Sequence, residues 1–317
     1  MSRLRIVFMG TPELACASLN ALLECDQFEI AGVVTQPDRP KGRDLKLTPP
    51  PVKELALRKG LAVLQPERSR AEGFLESLRQ LEPQLIAVAA FGQILPKSIL
   101  DLPPHGCLNV HTSLLPRYRG AAPIQWAILN DDKETGVTIM RMDVGMDTGP
   151  IVSQQATAIS PEDDAQTLHD RLAALGAELL VKTIPDYVTG RIQPRTQPET
   201  GVVYAPKIKK EDGEVDWSLP ARTIWNRVRG LVPWPVTFAF LPETNGKALL
   251  KIWEAKTVEG SGPAGTILRA GKEGVSVACG TGALQILVVQ KEGGRRMTVQ
   301  EFLAGKSLSA GQSFLKK

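Results

Sequence analysis

The sequence predicts an α/β domain built on a mostly parallel sheet and followed by a small β-barrel, and three stretches carry that reading. The apolar run at residues 4–9 ends at Gly10-Thr11-Pro12, and Leu19, Leu22 and Leu23 follow at helical spacing; Thr11 suits an N-cap and Pro12 the first helical position. Residues 85–90 are apolar throughout, which means a strand covered on both faces, as in a parallel sheet with helices on each side. Past residue 213, short runs at 237–241, 248–253, 274–278 and 284–289 are separated by Gly, Pro and Asn turns. That is the pattern of a small barrel, and a five-stranded, oligonucleotide-binding-like (OB-like) one suits the length.

Taken in order, strands at 4–9, 28–35, 61–64 and 85–90 alternate with a helix after Pro12 and another over 71–81, whose Phe74, Leu75, Leu78 and Leu81 share a face. The alternation is Rossmann-like. Gly10-Thr11-Pro12 is nevertheless not G-x-G-x-x-G, so NAD is disfavoured. Residues 36–53 hold five prolines and a glycine, which exclude regular structure on this reading, and five basic residues against two acidic ones. They form either a mobile basic flap over a phosphate-bearing substrate or a solvated Pro-rich excursion. A helix from 122, strands at 137–142 and 151–156, and a helix over 163–188 follow; in the last, Leu168, Leu172, Leu175 and Leu179 form one stripe. The polar stretch 190–213 has few large apolar residues and reads as a linker. We therefore expect a catalytic domain over 1–189, a linker over 190–208 and a basic barrel domain over 209–317, with helices at 221–228 and 299–303.

Composition excludes several classes. No apolar run approaches the roughly 20 residues that cross a bilayer, and the strand-like residues 4–8 leave no room for a secretory h-region. Cys16, Cys25, Cys107 and Cys279 form no C-x-x-C pair, so reduced thiols in a cytoplasm are expected. The net charge is +4, but from Lys209 onward 16 Lys and Arg stand against 10 Asp and Glu. A basic appendage on a near-neutral body favours a polyanionic partner such as nucleic acid. A monomer is expected.

The chemistry concentrates at Cys107-Leu108-Asn109-Val110-His111 and at Asp143-Val144-Gly145-Met146-Asp147-Thr148-Gly149. On a strand, Cys107, Asn109 and His111 share one face, and the glycines of the second stretch allow a tight turn that presents a carboxylate. An amide, an imidazole and a carboxylate at strand ends are the parts of an acyl-transfer site. The spacing of His105, Cys107 and His111 matches no zinc pattern, and Gln154 stands where a calcium loop needs its closing Glu. We expect no metal. A thiol mechanism through Cys107 remains open.

These stretches resemble the methionyl-tRNA formyltransferase family along essentially the whole chain. The likeness rests on Phe8-Met9-Gly10-Thr11-Pro12, Thr35-Gln36-Pro37-Asp38-Arg39-Pro40, Leu108-Asn109-Val110-His111 with Ser113-Leu114-Leu115-Pro116, Arg119-Gly120-Ala121-Ala122-Pro123-Ile124, and residues 134–149. The Asn-x-His, Ser-Leu-Leu-Pro and Asp-x-Gly elements are shared by folate-dependent formyltransferases generally. The Thr-Gln-Pro-Asp-Arg-Pro loop and the C-terminal domain point to the tRNA enzyme. Asp44 and Leu45 depart from the family's pattern in that loop.

The resemblance implies a Rossmann-like formyltransferase sheet with a C-terminal barrel. It implies transfer of formyl from 10-formyltetrahydrofolate, the co-substrate, to the α-amine of methionyl initiator tRNA. It implies Asn109, His111 and Asp147 as the catalytic trio, and Ser113, Leu114, Leu115 and Pro116 with Phe91, Gly92, Gln93, Ile94 and Leu95 around the folate. Arg39, Lys41, Arg43 and Lys46 would meet the tRNA acceptor end. Two rivals stay open: another folate-dependent formyltransferase or formyltetrahydrofolate hydrolase, and a non-enzymatic RNA-binding protein on the same scaffold.

Overall fold

The computed structural model describes residues 3–41, 46–243 and 246–315, which divide into two compact units. The first comprises residues up to Pro123, Glu134–Ala158 and His169–Ala205. It opens with β1 (Leu4–Gly10), α1 (Glu13–Glu24) and β2 (Phe28–Val34), then β3 (Arg39–Lys41), β4 (Lys46–Thr48), α2 (Pro51–Arg58) and β5 (Val63–Leu64). The chain continues with α3 (Phe74–Gln80), β6 (Leu85–Ala89), α4 (Lys97–Leu100), β7 (Cys107–His111), β8 (Arg119–Gly120), α5 (Pro123–Leu129), β9 (Glu134–Arg141), β10 (Ile151–Ala158), α6 (Ala165–Val188) and β11 (Tyr204–Ala205), of which α5 after Pro123 and α6 before His169 fall to the second unit.

The sheet order is β10-β9-β7-β6-β1-β2-β5. Neighbours from β7 to β5 pair in parallel, and β9 alone is reversed, pairing antiparallel with both β7 and β10. Every residue of β6 is buried, as its unbroken apolar sequence requires of a strand covered on both faces. On one face Val7, Met9, Ile86, Val88 and Cys107 join Phe74 and Leu78 of α3 in a single cluster. The chain leaves β1 toward β2 and β5 and later returns through β6 to β7 on the other side, so the strand order reverses between β1 and β6. Open α/β sheets bind ligands at the carboxyl ends beside such a reversal.

Regular structure within residues 36–53 is a departure from expectation. β3 and β4 form an antiparallel hairpin with Arg39 opposite Thr48 and Pro40 opposite Leu47. A two-stranded ribbon is all edge, so Pro40 can sit where no ladder N–H is demanded. Arg43, Asp44 and Leu45 lie outside the described residues, as does the Lys41 side chain.

The second unit gathers Ile124–Lys133, Ile159–Leu168 and the chain from Pro206. After α7 (Ala221–Gly230) come β12 (Thr237–Glu243), β13 (Gly246–Val258), β14 (Ile267–Gly271), β15 (Gly274–Ala278), β16 (Ala283–Lys291), β17 (Arg296–Thr298) and α8 (Val299–Gly305). The strands form an antiparallel half-barrel, β12-β13-β16-β15-β14 with β17 beside β16. β14 and β17 were not expected: β14 is interrupted by Arg269 and ends on Gly271, and β17 is only Arg-Met-Thr, too weak a period-2 signal to read. The core holds Ile224 and Val228 of α7 against Ile252, Val277, Leu284 and Ile286 of the sheet. Arg229, nearly buried, is satisfied by the carbonyls of Ser160 and Asp163 and by Asn226, and its guanidinium lies 4.4 Å from the Trp225 ring.

Candidate active site

β7 delivers Asn109 and His111 to one face, two residues apart at its carboxyl end. His111 is 6 % exposed, and its Nε2 lies 2.9 Å from the carbonyl oxygen of Tyr118. A carbonyl only accepts, so Nε2 carries hydrogen and donates, leaving Nδ1 as the nitrogen that gains or loses a proton. Nδ1 faces Asp147 Oδ2 at 3.7 Å. That is too long for a direct hydrogen bond and close enough for one water to meet both groups. Asn109, half-buried, keeps its carboxamide free of any hydrogen bond to another described residue.

The carboxylate is held by its loop. Asp147 has φ +54° and Tyr118 φ +61°, left-handed conformations uncommon for side-chain-bearing residues. Asp147 Oδ2 accepts the Gly120 N–H at 2.8 Å. Asp143, at the head of the turn, does not reach His111; its Oδ1 accepts from the Gly145 N–H at 3.0 Å and the Thr148 hydroxyl at 2.8 Å, which builds the turn itself. A Cβ at Gly149 would fall 1.9 Å from the Arg141 carbonyl oxygen, so only glycine closes the turn against β9.

Three residues that sequence reasoning passed over complete the frame. Thr138, fully buried and opposite His111 across β9, donates to the Ser113 carbonyl at 2.6 Å and accepts from the Leu115 N–H at 3.1 Å and from Gln154 Nε2 at 2.9 Å. Gln154 Nε2 also reaches the Leu115 carbonyl, at 2.9 Å. Gln197 Nε2 donates to the Asp147 and Gly149 carbonyls, each at 2.8 Å, and its Oε1 accepts from Arg119 at 2.7 and 3.1 Å. A threonine inside Val137-Thr138-Ile139-Met140 was a usable sign, being the one polar residue of an apolar run. Gln197 lies in a polar stretch where nothing singles it out.

Of the residues expected around a folate, Ser113 is fully buried with its hydroxyl on the Arg117 carbonyl at 2.6 Å, and Leu115 is also buried. Leu114 and Pro116 are half-buried. Phe91 and Leu95 belong to the sheet core, whereas Gly92 and Ile94 are exposed. Gln93 braces the neighbouring loop by accepting the Ser69 N–H at 2.6 Å. Above the strand-order reversal, the Phe91 carbonyl accepts Thr11 Oγ1 at 2.9 Å and Gln36 Nε2 at 3.1 Å, which ties the ends of β1, β2 and β6. A Cβ at Gly92, where φ is +84°, would meet that same Gln36 nitrogen at 2.5 Å.

Cys107 is not a nucleophile here. Its thiol is buried against the carbonyls of Ile99 and Leu100, and burial pushes its pKa up to about 12. The hairpin is anchored at its base, where Asp38 accepts Lys53 Nζ at 2.8 Å and Gln65 Nε2 at 2.9 Å. Those two bonds hold the Asp38 carboxyl below the usual carboxylate range. Arg39 is exposed and paired with Glu67 at 3.1 Å, and Lys46 is exposed. Among the described residues no helix is long and apolar enough to cross a membrane.

A buried imidazole beside a carboxylate, with a carboxamide on the same face, can stabilise an oxyanion and move a proton without a covalent intermediate. Comparisons with known proteins point the same way. Residues 4–184 match the formyl transferase family model, and residues 207–307 match that of the formyl transferase C-terminal domain. The methionyl-tRNA formyltransferase of Citrifermentans bemidjiense is 50 % identical over 317 residues, covering 100 % of this chain and 98 % of the relative. That of Trichlorobacter lovleyi is 52 % identical over 311 residues, 98 % of this chain and 97 % of the relative. Among solved structures, WlaRD, a sugar 3N-formyl transferase in the presence of dTDP and 5-N-formyl-THF, superposes with a TM-score of 0.66 at 20 % identity, over 92 % of this chain and 98 % of that one. The methionyl-tRNA formyltransferase of Clostridium thermocellum does so with a TM-score of 0.54 at 18 % identity, over 82 % and 96 %. With both family models matched and half of all positions shared with full-length relatives, the chain belongs to the methionyl-tRNA formyltransferase family.

Proposed function

We propose that this protein transfers the formyl group of 10-formyltetrahydrofolate to the α-amine of methionyl initiator tRNA through Asn109, His111 and Asp147. The observation that carries the chemistry is the His111 ring, fixed through Nε2 by the Tyr118 carbonyl and presenting Nδ1 to Asp147. The substrates are supported by the full-length kinship with methionyl-tRNA formyltransferases and by the basic excess after Lys209. The formyl-THF named with WlaRD supports a folate donor.

The amine nitrogen attacks the formyl carbon, and the carbonyl electrons move to oxygen. The Asn109 amide and the protonated Nδ1 of His111 offer hydrogens to that oxyanion. The ammonium proton passes to Asp147, directly or through a water; the oxyanion then re-forms the carbonyl, the C–N bond to the folate breaks, and the departing nitrogen takes that proton from Asp147, which returns to its carboxylate. Burial decides how the folate is met: Leu114, Pro116, Gly92 and Ile94 can touch it, while Ser113 and Leu115 fix the backbone of their stretch from within, Phe91 and Leu95 brace the wall and Gln93 holds its loop. Arg39, Lys41, Arg43 and Lys46 draw in the acceptor-end phosphates, which makes binding strongly salt-dependent.

The test is formyl transfer from 10-formyltetrahydrofolate with Met charged on initiator tRNA, Met charged on elongator tRNA and water as competing acceptors. Preferred transfer to the initiator is expected. Folate turnover without that preference moves the protein to a hydrolase or to another formyl acceptor.

A further inference from the structure

The carboxylate of Asp147 depends on a residue far along the chain. Its Oδ2 is fixed by the Gly120 N–H of β8, a bond of 2.8 Å between two loops. Gln197 grips both ends of that bond. One end of its amide holds the backbone of the acid, donating to the carbonyls of Asp147 and Gly149 at 2.8 Å each. The other end accepts two hydrogens from Arg119, the residue beside Gly120 in β8. A single planar carboxamide, 6 % exposed, thus sets the distance between the strand that holds the carboxylate and the turn that bears it. Residues just beyond lock the same strand, because Tyr204 and Ala205 of β11 pair in parallel with Arg119 and Gly120.

We propose that Gln197 is a positioning residue for formyl transfer, acting through Asp147. This rests on the reading of Asp147 given above. The reasoning is geometric. Asp147 sits at φ +54° with its oxygen 3.7 Å from His111 Nδ1. In that arrangement a shift of about 1 Å separates a productive proton acceptor from an idle one and can cost about a hundredfold in rate. Arginine on one side demands an acceptor and the two carbonyls on the other demand a donor, a combination that a carboxamide meets at this length. Glutamate, methionine and alanine each fail at least one side.

The experiment is a double-mutant cycle on the full chain, read as single-turnover rates so that slow variants stay measurable, with tRNA and folate KM from steady state. Gln197→Met keeps the buried volume and removes the bonds; Gln197→Ala serves as the second variant, and each is first shown folded by its thermal transition. The expected result is a fall in rate of about ten- to a hundredfold with both KM values within about twofold. In the Asp147→Asn background, Gln197→Met should change the rate by less than about twofold, since the group it positions is already disabled. Full multiplication of the two losses, or a wild-type rate for both folded Gln197 variants, overturns the proposal. A wild-type rate for Asp147→Asn alone instead overturns the reading of the site, and this inference with it.

Discussion

Residues 112–120 and the hairpin at 39–48 both leave the carboxyl ends of parallel strands in one sheet, yet they are held in opposite ways. The first is knit into β9 and β10 by Thr138 and Gln154, its Ser113 hydroxyl is spent on its own backbone, and the Tyr118 carbonyl takes the imidazole. Among the described residues the two strands of the second pair only with each other, and their ties to the rest lie at the root, through Asp38 and Arg39. Exposed Leu47 and Lys46 face solvent. The difference follows from the tasks proposed for them. A proton and an oxyanion must be met to within fractions of an ångström, whereas a long polyanion is gathered by charge and tolerates a moving partner.

The largest expected effect falls on the rigid side. His111→Ala should lower kcat by about 10²–10⁴-fold while tRNA binding, followed by filter retention or fluorescence, stays near wild type. Equal loss of binding would mean that the two regions are not separate in function. Thr138→Val comes next: it keeps the shape but strands the Ser113 carbonyl and the Leu115 N–H, and should destabilise by about 1–3 kcal/mol in denaturant unfolding. On the hairpin, Lys46→Ala should leave kcat alone, raise the tRNA KM severalfold at low salt, and flatten the salt dependence by slightly less than one unit of slope. A salt-independent change would show that the hairpin reads shape and not charge.

The smallest effect probes the root of the hairpin by pH. Asp38 has its folded carboxyl lowered by Gln65 and Lys53, so the unfolded chain takes up its proton first on acidification. Its stabilising contribution is present in full above the unfolded carboxylate range and fades as pH falls through the lowered folded value. Lys53→Met should therefore narrow the stability gap to wild type as pH drops below about 4, in melts that leave neutral-pH kcat unaltered.

What the sequence made legible was local. The alternation in β7 placed Asn109 and His111 side by side, and the continuous apolar run of β6 announced a sheet covered on both faces. The turn glycines located a carboxylate without saying which acid would face the ring; Asp143 turned out to build the turn and Asp147 to approach His111. The supporting frame was illegible for a physical reason. Thr138 acts on residues 23 and 25 positions away and Gln197 on residues 48, 50 and 78 away. Bonds closed across a sheet leave no periodic trace in either partner. The hairpin was missed because prolines usually signal irregular chain, and a free-standing ribbon is a setting that tolerates them.

The place of Gln197 in the chain also bears on how the protein comes into being during synthesis. All seven strands of the main sheet have been made by Ala158, and domains fold as units while the chain is still emerging. A nascent polypeptide halted after Val188 would thus carry a folded sheet, a seated imidazole and a carboxylate turn braced by Gly120 and by the bonds of Asp143, but not yet by Gln197. The emergence of Gln197 and then of Tyr204 and Ala205 adds the last ties, to that turn and to β8. If Gln197 positions the acid as proposed, a fragment that keeps the full rate runs through Ala205, past the end of α6.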